Sequence, residues 1–235
     1  MQIKGATALV TGANRGIGRH LAAQLVGRGA KVYAAARRPE TVDFDGVVPI
    51  ALDITDTAAV ETAARTAGDV DLLVNNTGIN TFTPLLGDLD RIHADMNTNL
   101  WGTLSMVRGF APVLAANGGG AVVTIASGTS WMAMPDAGTD AVSKAAVWNM
   151  SNGLRWELAG QGTSVISVHL GCADTGMGDG PLEKGDPPDV ARATLDGIER
   201  DDWEVIVDDQ AALVKEWLSK DPKAVYALVS QLIGA

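Results

Sequence analysis

Near its start the chain reads Ala6-Thr7-Ala8-Leu9-Val10-Thr11-Gly12-Ala13-Asn14-Arg15-Gly16-Ile17-Gly18. The apolar run at 6–10 predicts a buried strand, and the glycines after it predict a tight turn that opens a helix at about Gly16. Glycine lets the backbone approach a ligand closely, and free N–H groups at a helix start attract negative charge. As the first unit of an alternating chain, this strand, turn and helix indicate a site for the pyrophosphate of a dinucleotide.

The rest of the chain alternates short β-rich runs with longer amphipathic stretches. Near-continuous apolar strands that alternate with helices are typical of a parallel sheet covered on both faces. We therefore predict a single α/β domain over 1–235 that is Rossmann-like and doubly wound, with a seven-stranded parallel sheet, helices on both faces and ligands at the carboxyl ends of the strands. The predicted strands are 6–10, 31–36, 47–52, 70–75, 120–126, 164–170 and 204–207, and the predicted helices are 16–28, 57–67, 88–116, 139–160 and 188–200.

Composition narrows the class of protein. A hydrophobic share of 46% in 235 residues supports one sizeable core. The formal net charge of −10 argues against binding to nucleic acid or to an anionic membrane. The single cysteine, Cys172, excludes an intrachain disulfide, and no secretory signal is visible, so we expect a cytoplasmic protein. The three histidines lack metal-ligand spacing, and no metal site is predicted.

The end of the second predicted strand indicates which dinucleotide is bound. It reads Ala35-Ala36-Arg37-Arg38, without an acidic residue, and Arg15 projects from the glycine-rich turn. NAD sites usually place a carboxylate here, whereas NADP sites offer arginine to the 2′-phosphate. Arginines around one phosphate form bidentate, charge-assisted hydrogen bonds. The sequence predicts NADPH as the cofactor; the alternative is that Arg37 and Arg38 form only a solvated turn.

A second group of polar residues follows the fifth predicted strand. Asp140 follows Ser127 by thirteen positions and precedes Lys144 by four. This spacing, together with the glycine-rich turn, resembles the short-chain dehydrogenase/reductases, and the resemblance extends from Ala6 to about Asp208. In that family a tyrosine stands where this chain has Asp140. The matching motifs are Thr11-Gly12-x-x-x-Gly16-Ile17-Gly18, Leu52-Asp53-Ile54, Asn75-Asn76-Thr77-Gly78, Asn99-Leu100-Trp101-Gly102, Ser127 with Lys144, and Gly171 with Thr175.

The resemblance implies a set of site residues and an assembly. Family members are commonly dimers or tetramers through paired long helices, here 88–116 and 139–160. The chain departs from the family pattern at Thr77, Ala126, Asp140 and Leu170. These positions cluster around the implied active site, as we would expect of an engineered variant. The implied catalytic residues are Asn99, Ser127, Asp140 and Lys144, and the implied cofactor-binding residues are Gly12, Asn14, Arg15, Gly16, Ile17, Gly18, Arg37, Arg38, Asp53, Ile54, Asn75, Gly78, Lys144, Gly171 and Thr175.

Asp140 decides which chemistry the resemblance allows. In the family the tyrosine donates a proton to the substrate carbonyl as hydride arrives, and the asparagine holds a water in the proton relay. Aspartate has a reference pKa of about 3.9 against about 10 for tyrosine, and Lys144 one helical turn away is expected to stabilise the anion further if the two side chains meet. A carboxylate has no proton for a ketone, but it attracts a protonated imine.

Four functions therefore stay open at this point. Reduction of a small, largely apolar imine or iminium substrate is preferred, and reduction of a ketone is the first alternative. A catalytically silent dinucleotide-binding protein and a non-redox lyase with Asp140 as base are the others.

Two further segments carry predictions. The glycine- and proline-rich stretch at about 175–188 is expected to form a substrate loop, and the tail at 210–235 is expected to form two helices that divide near Asp221-Pro222. Trp131, Met132 and Met134 are read either as an apolar wall of the substrate pocket or as core packing.

Overall fold

The protein was described from a computed structural model over residues 1–135, 137–175 and 184–233. Within those ranges the strands form one parallel sheet in the order β3-β2-β1-β4-β5-β6-β7. The prediction of a doubly wound, seven-stranded sheet is confirmed. The strands are β1 Thr7–Thr11, β2 Lys31–Ala36, β3 Val47–Ala51, β4 Leu72–Asn75, β5 Gly120–Ile125, β6 Thr163–His169 and β7 Glu204–Ile206.

Helices cover both faces of the sheet. Successive strand residues point to opposite faces, so Leu9 packs in one apolar core and Val10 in the other. The core around Val10 includes Leu21 and Leu195 from α1 and α6, whereas the core around Leu9 includes Phe110 from α4. The helices are α1 Gly16–Gly27, α2 Thr57–Thr66, α3 Leu89–Met96, α4 Thr103–Ala116, α5 Gly138–Leu158, α6 Pro187–Arg200, α7 Asp209–Trp217 and α8 Pro222–Ile233.

The topological switch lies between β1 and β4. The chain moves outward through β2 and β3 and then returns to pair β4 with β1, with Ala8 beside Leu72 and Val10 beside Val74. In sheets of this kind a crevice opens at the carboxyl ends of the strands where the order reverses. The fold therefore places the turn after Thr11 and the residues after Asn75 at one crevice.

The predicted continuous helix at 88–116 is wrong in one respect. A single π-helical turn, Asn97–Gly102, separates α3 from α4. The Asn99 carboxamide is held by the backbone of Ile79, and a side chain at Gly102 would lie 2.8 Å from Ile54 Cγ1. These tertiary contacts favour the wider turn, which hydrophobic periodicity cannot indicate. Such turns frequently occur at functional sites.

The carboxyl-terminal tail forms the two predicted helices, α7 and α8, with the division at Asp221 and Pro222. Of the predicted substrate loop at 175–188, residues 176–183 lie outside the described residues. Its two ends are joined, because the Gly185 N–H donates to the Cys172 carbonyl at 2.8 Å and the Asp174 N–H donates to the Gly185 carbonyl at 3.0 Å. No helix in the described ranges is long and apolar enough to cross a membrane.

Candidate active site

The turn after β1 is clamped to the residues that follow β4. Thr11 Oγ1 accepts the backbone N–H groups of Asn76 and Thr77, each at 3.0 Å. The Asn76 side chain donates to the carbonyl of Thr11 at 2.9 Å and to that of Gly12 at 3.4 Å. These bonds hold the glycine-rich turn rigidly at the switch point of the sheet.

Three glycines in this turn are required by its geometry. Gly12 and Gly16 have φ values of +65° and +52°, in the left-handed region that favours glycine. At Gly18 a Cβ would lie 2.3 Å from the Gly12 carbonyl oxygen and 2.4 Å from Asn76 Nδ2. The first turn of α1 therefore packs directly against the loop, with its N–H groups open toward the crevice.

The free cations near this turn fit a phosphate-rich ligand. Arg15, Arg37 and Arg38 are exposed, and within the described part of the chain their guanidinium groups make no hydrogen bond or ion pair. The glycine cradle with its open N–H groups suits a pyrophosphate, and the arginines suit a further phosphate. The residues present therefore fit a dinucleotide.

Asp53 and Ile54 lie between β3 and α2. Thr55 donates to Asp53 Oδ1 through its N–H at 2.9 Å and its hydroxyl at 2.7 Å, and these bonds lower the pKa of Asp53, with Arg37 adding a smaller effect. Ile54 is buried beneath the π-helical turn. Asn14 donates to Thr41 Oγ1 at 3.1 Å, so its carboxamide is partly used inside the protein.

Asn75 ends β4 in a buried position. Its side-chain Oδ1 and Nδ2 have no hydrogen-bond partner. A buried carboxamide without partners costs free energy, so this group is available to a water molecule or to a ligand polar group. The predicted cofactor role of Asn75 stays a prediction.

Ser127 and Asp140 are linked through Thr129. The Thr129 N–H donates to Ser127 Oγ at 3.1 Å, and Thr129 Oγ1 donates to Asp140 Oδ2 at 3.1 Å. Ser127 Oγ also donates to the Leu170 carbonyl at 3.4 Å. Thr129, which the sequence motifs did not single out, thus fixes both polar groups relative to each other.

Burial sets the charge properties of Asp140. The residue is 8% exposed, and desolvation raises the pKa of its carboxyl above 3.8, while Lys144 and the Thr129 hydrogen bond oppose that rise. Desolvation likewise lowers the pKa of Lys144. Lys144 Nζ donates to the Ile125 carbonyl at 3.0 Å, and no ion pair within 4 Å joins these two described residues. Lys144 does favour the Asp140 anion, as expected, but burial outweighs this attraction and the net shift of the Asp140 pKa is upward.

Asn99 lies on the π-helical turn, behind the polar groups of α5. Its Oδ1 accepts the Ile79 N–H, and its Nδ2 donates to the Ile79 carbonyl and to Ser143 Oγ, all at 2.9 Å. Ser143 in turn donates to the Asp140 carbonyl at 2.8 Å. Both Nδ2 hydrogens are thus used by the protein, so the side chain acts as a clamp on α5. The predicted water-holding role of Asn99 stays a prediction.

Gly78, Lys144 and Asn99 converge. A Cβ at Gly78 would lie 3.3 Å from Asn99 Oδ1 and 3.5 Å from Lys144 Nζ. Glycine at this position therefore lets the backbone lie close to the Asn99 carboxamide and the Lys144 ammonium.

The segment after β6 closes the crevice from the other side. The Gly171 N–H donates to Asp208 Oδ2 at 2.8 Å, and the Cys172 N–H donates to Gln210 Oε1 at 3.2 Å. A Cβ at Gly16 would lie 3.3 Å from Thr175 Cβ, which places Thr175 directly over the glycine-rich turn. The fold thus brings Gly171 and Thr175 to the same crevice as residues 12–18.

Residues 131–134 join the site to the tail. Met132 and Met134 pack against Trp217, Val225 and Val229 of α7 and α8, and the Ala133 N–H donates to Tyr226 Oη at 3.2 Å. The two methionines are partly buried in this small core, so packing against the tail accounts for part of their apolar surface.

Most of the predicted site residues fall into two groups at one edge of the sheet, with Gly78 after β4 and Gly171 and Thr175 after β6 beside them. Hydrogen bonds through Thr129 and Ser143 connect Asp140 to Ser127 and Asn99, and Lys144 interacts electrostatically with Asp140. The second group lies at or just after the carboxyl ends of β1, β2, β3 and β4, and it comprises residues 12–18, Arg37, Arg38, Asp53, Ile54 and Asn75. In the described ranges, no group of three or more His, Cys, Asp or Glu residues is placed to hold a metal ion.

Known proteins show the same architecture. A family described as short chain dehydrogenase matches residues 6–184. A crystal structure of a short chain dehydrogenase from Burkholderia cenocepacia J2315 in complex with NADP has a TM-score of 0.92 and 39% identity, covering 97% of this chain and 98% of that one.

Curated relatives agree with this match. The short-chain dehydrogenase ptmH of Penicillium ochrochloron is 38% identical over 181 residues, or 72% of this chain. The chain spans 66% of that relative, slightly less than two thirds of its length. The 3-oxoacyl-(acyl-carrier-protein) reductase FabG of Salmonella typhimurium is 33% identical over 188 residues, covering 75% of this chain and 77% of the relative.

Because the family matches residues 6–184 and these relatives are similar over most of the chain, the chain belongs to the short-chain dehydrogenase family. Members of that family bind a nicotinamide dinucleotide, as the Burkholderia cenocepacia protein in complex with NADP illustrates.

Proposed function

We propose that this protein is an NADPH-dependent reductase in which Asp140 takes the position of the family's catalytic tyrosine, and that its substrate is a small, largely apolar imine or iminium ion. The observation that carries this proposal is the buried carboxyl group of Asp140, which Thr129 links to Ser127, at the position where the family uses a phenol. NADPH would supply the hydride, and the site residues would bind and orient the cofactor and the substrate and balance their charge.

The cofactor part of the proposal rests on three exposed arginines. Arg37 and Arg38 follow β2, and Arg15 lies on the turn before α1; in the described part of the chain their guanidinium groups make no hydrogen bond or ion pair. Since NADP differs from NAD by the 2′-phosphate, these cations favour NADPH. The similar Burkholderia cenocepacia protein, which was crystallised with NADP, supports the same choice.

Replacing Arg37 and Arg38 together by alanine is expected to weaken NADPH binding on the order of ten- to a hundredfold, because charge-assisted hydrogen bonds to the 2′-phosphate are lost. NADH binding should change less than threefold. Fluorescence titration of both cofactors measures the effect. Arg192→Ala, which removes a surface arginine paired with Asp189 on α6, is the matched control. Equal losses of affinity for NADPH and NADH would show that the two arginines do not bind the 2′-phosphate.

The proposed iminium substrate follows from the negative charge of an ionised Asp140. An iminium ion carries its positive charge into the site, so no acid is needed when hydride arrives. A carboxylate about 4 Å away attracts a unit cation by about 4 kcal/mol at an effective dielectric constant near 20. Such a cation would also lower the pKa of Asp140 in the complex, opposing the effect of burial. The hydroxyl of Ser127 completes the polar side of the site.

A second candidate is reduction of a ketone, and one observation favours it. Burial raises the pKa of Asp140, and a protonated carboxyl could donate to a carbonyl oxygen. The two functions need opposite protonation states of the same side chain. They are therefore separable by experiment.

The proposal is tested by following NADPH oxidation with cyclic imines and with ketones of matched shape. The unmodified protein is expected to consume imines faster, and Asp140→Tyr is expected to shift the preference toward ketones. Faster ketone turnover by the unmodified protein would contradict the iminium proposal. Tight NADPH binding without turnover of either class would favour a silent binding protein, and product formation without nicotinamide would favour a lyase.

A further inference from the structure

His169 is a fully buried histidine behind the catalytic serine. It ends β6 with 0% of its surface exposed. Its Nδ1 lies 3.0 Å from the Ser127 carbonyl oxygen, and its Nε2 lies 3.1 Å from Ser167 Oγ. Arg155 Nη2, on α5, donates to the same Ser167 Oγ at 3.4 Å. Four groups thus form one continuous hydrogen-bonded chain.

The direction of every bond in this chain is fixed by chemistry. A guanidinium only donates and a carbonyl only accepts, so Arg155 donates to Ser167 and His169 Nδ1 carries the hydrogen that binds the Ser127 carbonyl. In a neutral ring Nε2 is then an acceptor, and it takes the hydroxyl hydrogen of Ser167. The two fixed ends impose the Nδ1–H tautomer of His169.

The surroundings keep the imidazole neutral and in place. Burial lowers the pKa of His169 to about 4, so the ring is uncharged near neutral pH. The Trp131 ring stacks on it with centroids 4.0 Å apart and an interplanar angle of 17°. Trp148 packs edge-on against Trp131 at 6.1 Å.

We propose that His169 is a positioning residue that, with Ser167 and Arg155, fixes the Ser127 backbone and so directs Ser127 Oγ toward the substrate. The link is short, because the carbonyl that His169 binds belongs to the residue whose hydroxyl serves the reaction. Arg155 lies on the same helix as Asp140 and Lys144, so the chain also ties the serine to the helix that carries the other polar groups. This inference rests on the proposed reductase function.

Two variants separate the hydrogen bond from packing. His169→Phe keeps a ring against Trp131 but has no donor, whereas His169→Asn places its amide N–H near the position of Nδ1. His169→Phe is expected to lower kcat on the order of ten- to a hundredfold through misplacement of Ser127 Oγ, with the Kd for NADPH unchanged within twofold. His169→Asn should restore kcat to within about fivefold of the unmodified protein. Equal kcat for the unmodified protein and His169→Phe would overturn the proposal, as would equal losses in both variants.

Hydrogen exchange can be measured without substrate turnover, so it tests the positioning role of His169 separately from the proposed reductase function. The Thr129 N–H donates to Ser127 Oγ, so its hydrogen exchange reports whether the serine side chain is in place. NMR of the NADPH-free protein should show the Nδ1–H tautomer of His169 and exchange of the Thr129 amide at least about tenfold faster in His169→Phe. An Nε2–H tautomer, or unchanged exchange, would overturn the positioning role. Faster exchange in a protein that reduces neither imines nor ketones would instead refute the reductase proposal alone.

Discussion

Asp140→Asn is expected to lower kcat/KM for a cationic iminium substrate by roughly a thousandfold. The variant keeps the shape of the side chain and an oxygen that can accept the Thr129 hydroxyl, but it removes the negative charge. Loss of about 4 kcal/mol of attraction at an effective dielectric constant near 20 corresponds to that factor. Initial rates of NADPH oxidation at pH 7 measure it.

The thermal stability of Asp140→Asn distinguishes a loss of charge from a loss of folded structure. Because burial raises the pKa of Asp140 above 3.8, the folded protein binds this proton more tightly than the unfolded chain. The free energy of unfolding therefore falls as pH rises through that pKa, and ionised Asp140 destabilises the fold at pH 7. Asp140→Asn should raise the thermal midpoint at pH 7 while activity falls. A lower thermal midpoint would mean that the variant loses activity because it unfolds. Unchanged iminium reduction would show that the charge of Asp140 does not promote the reaction.

Gly18→Ala is expected to abolish NADPH binding. Either the Kd for NADPH rises at least about a hundredfold or the protein fails to fold. The added Cβ would lie 2.3 Å from the Gly12 carbonyl oxygen and 2.4 Å from Asn76 Nδ2, and both groups belong to the clamp on the glycine-rich turn. Relief of this clash must move the turn or the first residues of α1. Fluorescence titration with NADPH and a thermal melt follow the two consequences.

Gly27→Ala is the matched control on the same helix. No heavy atom lies within 4 Å of its added Cβ, and alanine is favoured over glycine in a helix by up to about 1 kcal/mol. NADPH affinity should be unchanged and the melting temperature equal or higher. If Gly18→Ala behaved like Gly27→Ala, close packing of α1 against the turn would not be the reason for glycine at position 18.

The sheet and most of the crevice are predictable from the sequence. Strand periodicity is local, so the apolar runs before Gly12 and Asn76 indicate buried strands, and parallel topology then brings their carboxyl ends together. Asn99, Ser127 and Lys144 were predicted by resemblance to a family with known spacing. Residue order along the chain is enough for such inferences.

Properties that depend on tertiary contacts were not predictable. The π-helical turn at Asn99 arises from hydrogen bonds to Ile79, twenty residues earlier, and hydrophobic periodicity carries no sign of it. The direction of the Asp140 pKa shift depends on burial, which the helical spacing to Lys144 does not report. His169 belongs to no motif, and its hydrogen bond joins the end of β6 to Ser127, which follows β5.

The central claim is that Asp140 works as an anion toward a cationic substrate. The most direct test is the pH dependence of kcat/KM for an N-alkylated cyclic iminium ion, whose charge does not change with pH, in the unmodified protein and in Asp140→Asn. The account predicts that the rate of the unmodified protein falls as pH is lowered through the Asp140 pKa, which lies above 3.8, and that the variant is slow and flat over the same range. A rate that instead rises as pH is lowered, and loses that rise in the variant, would show that protonated Asp140 is the active form and would contradict the account.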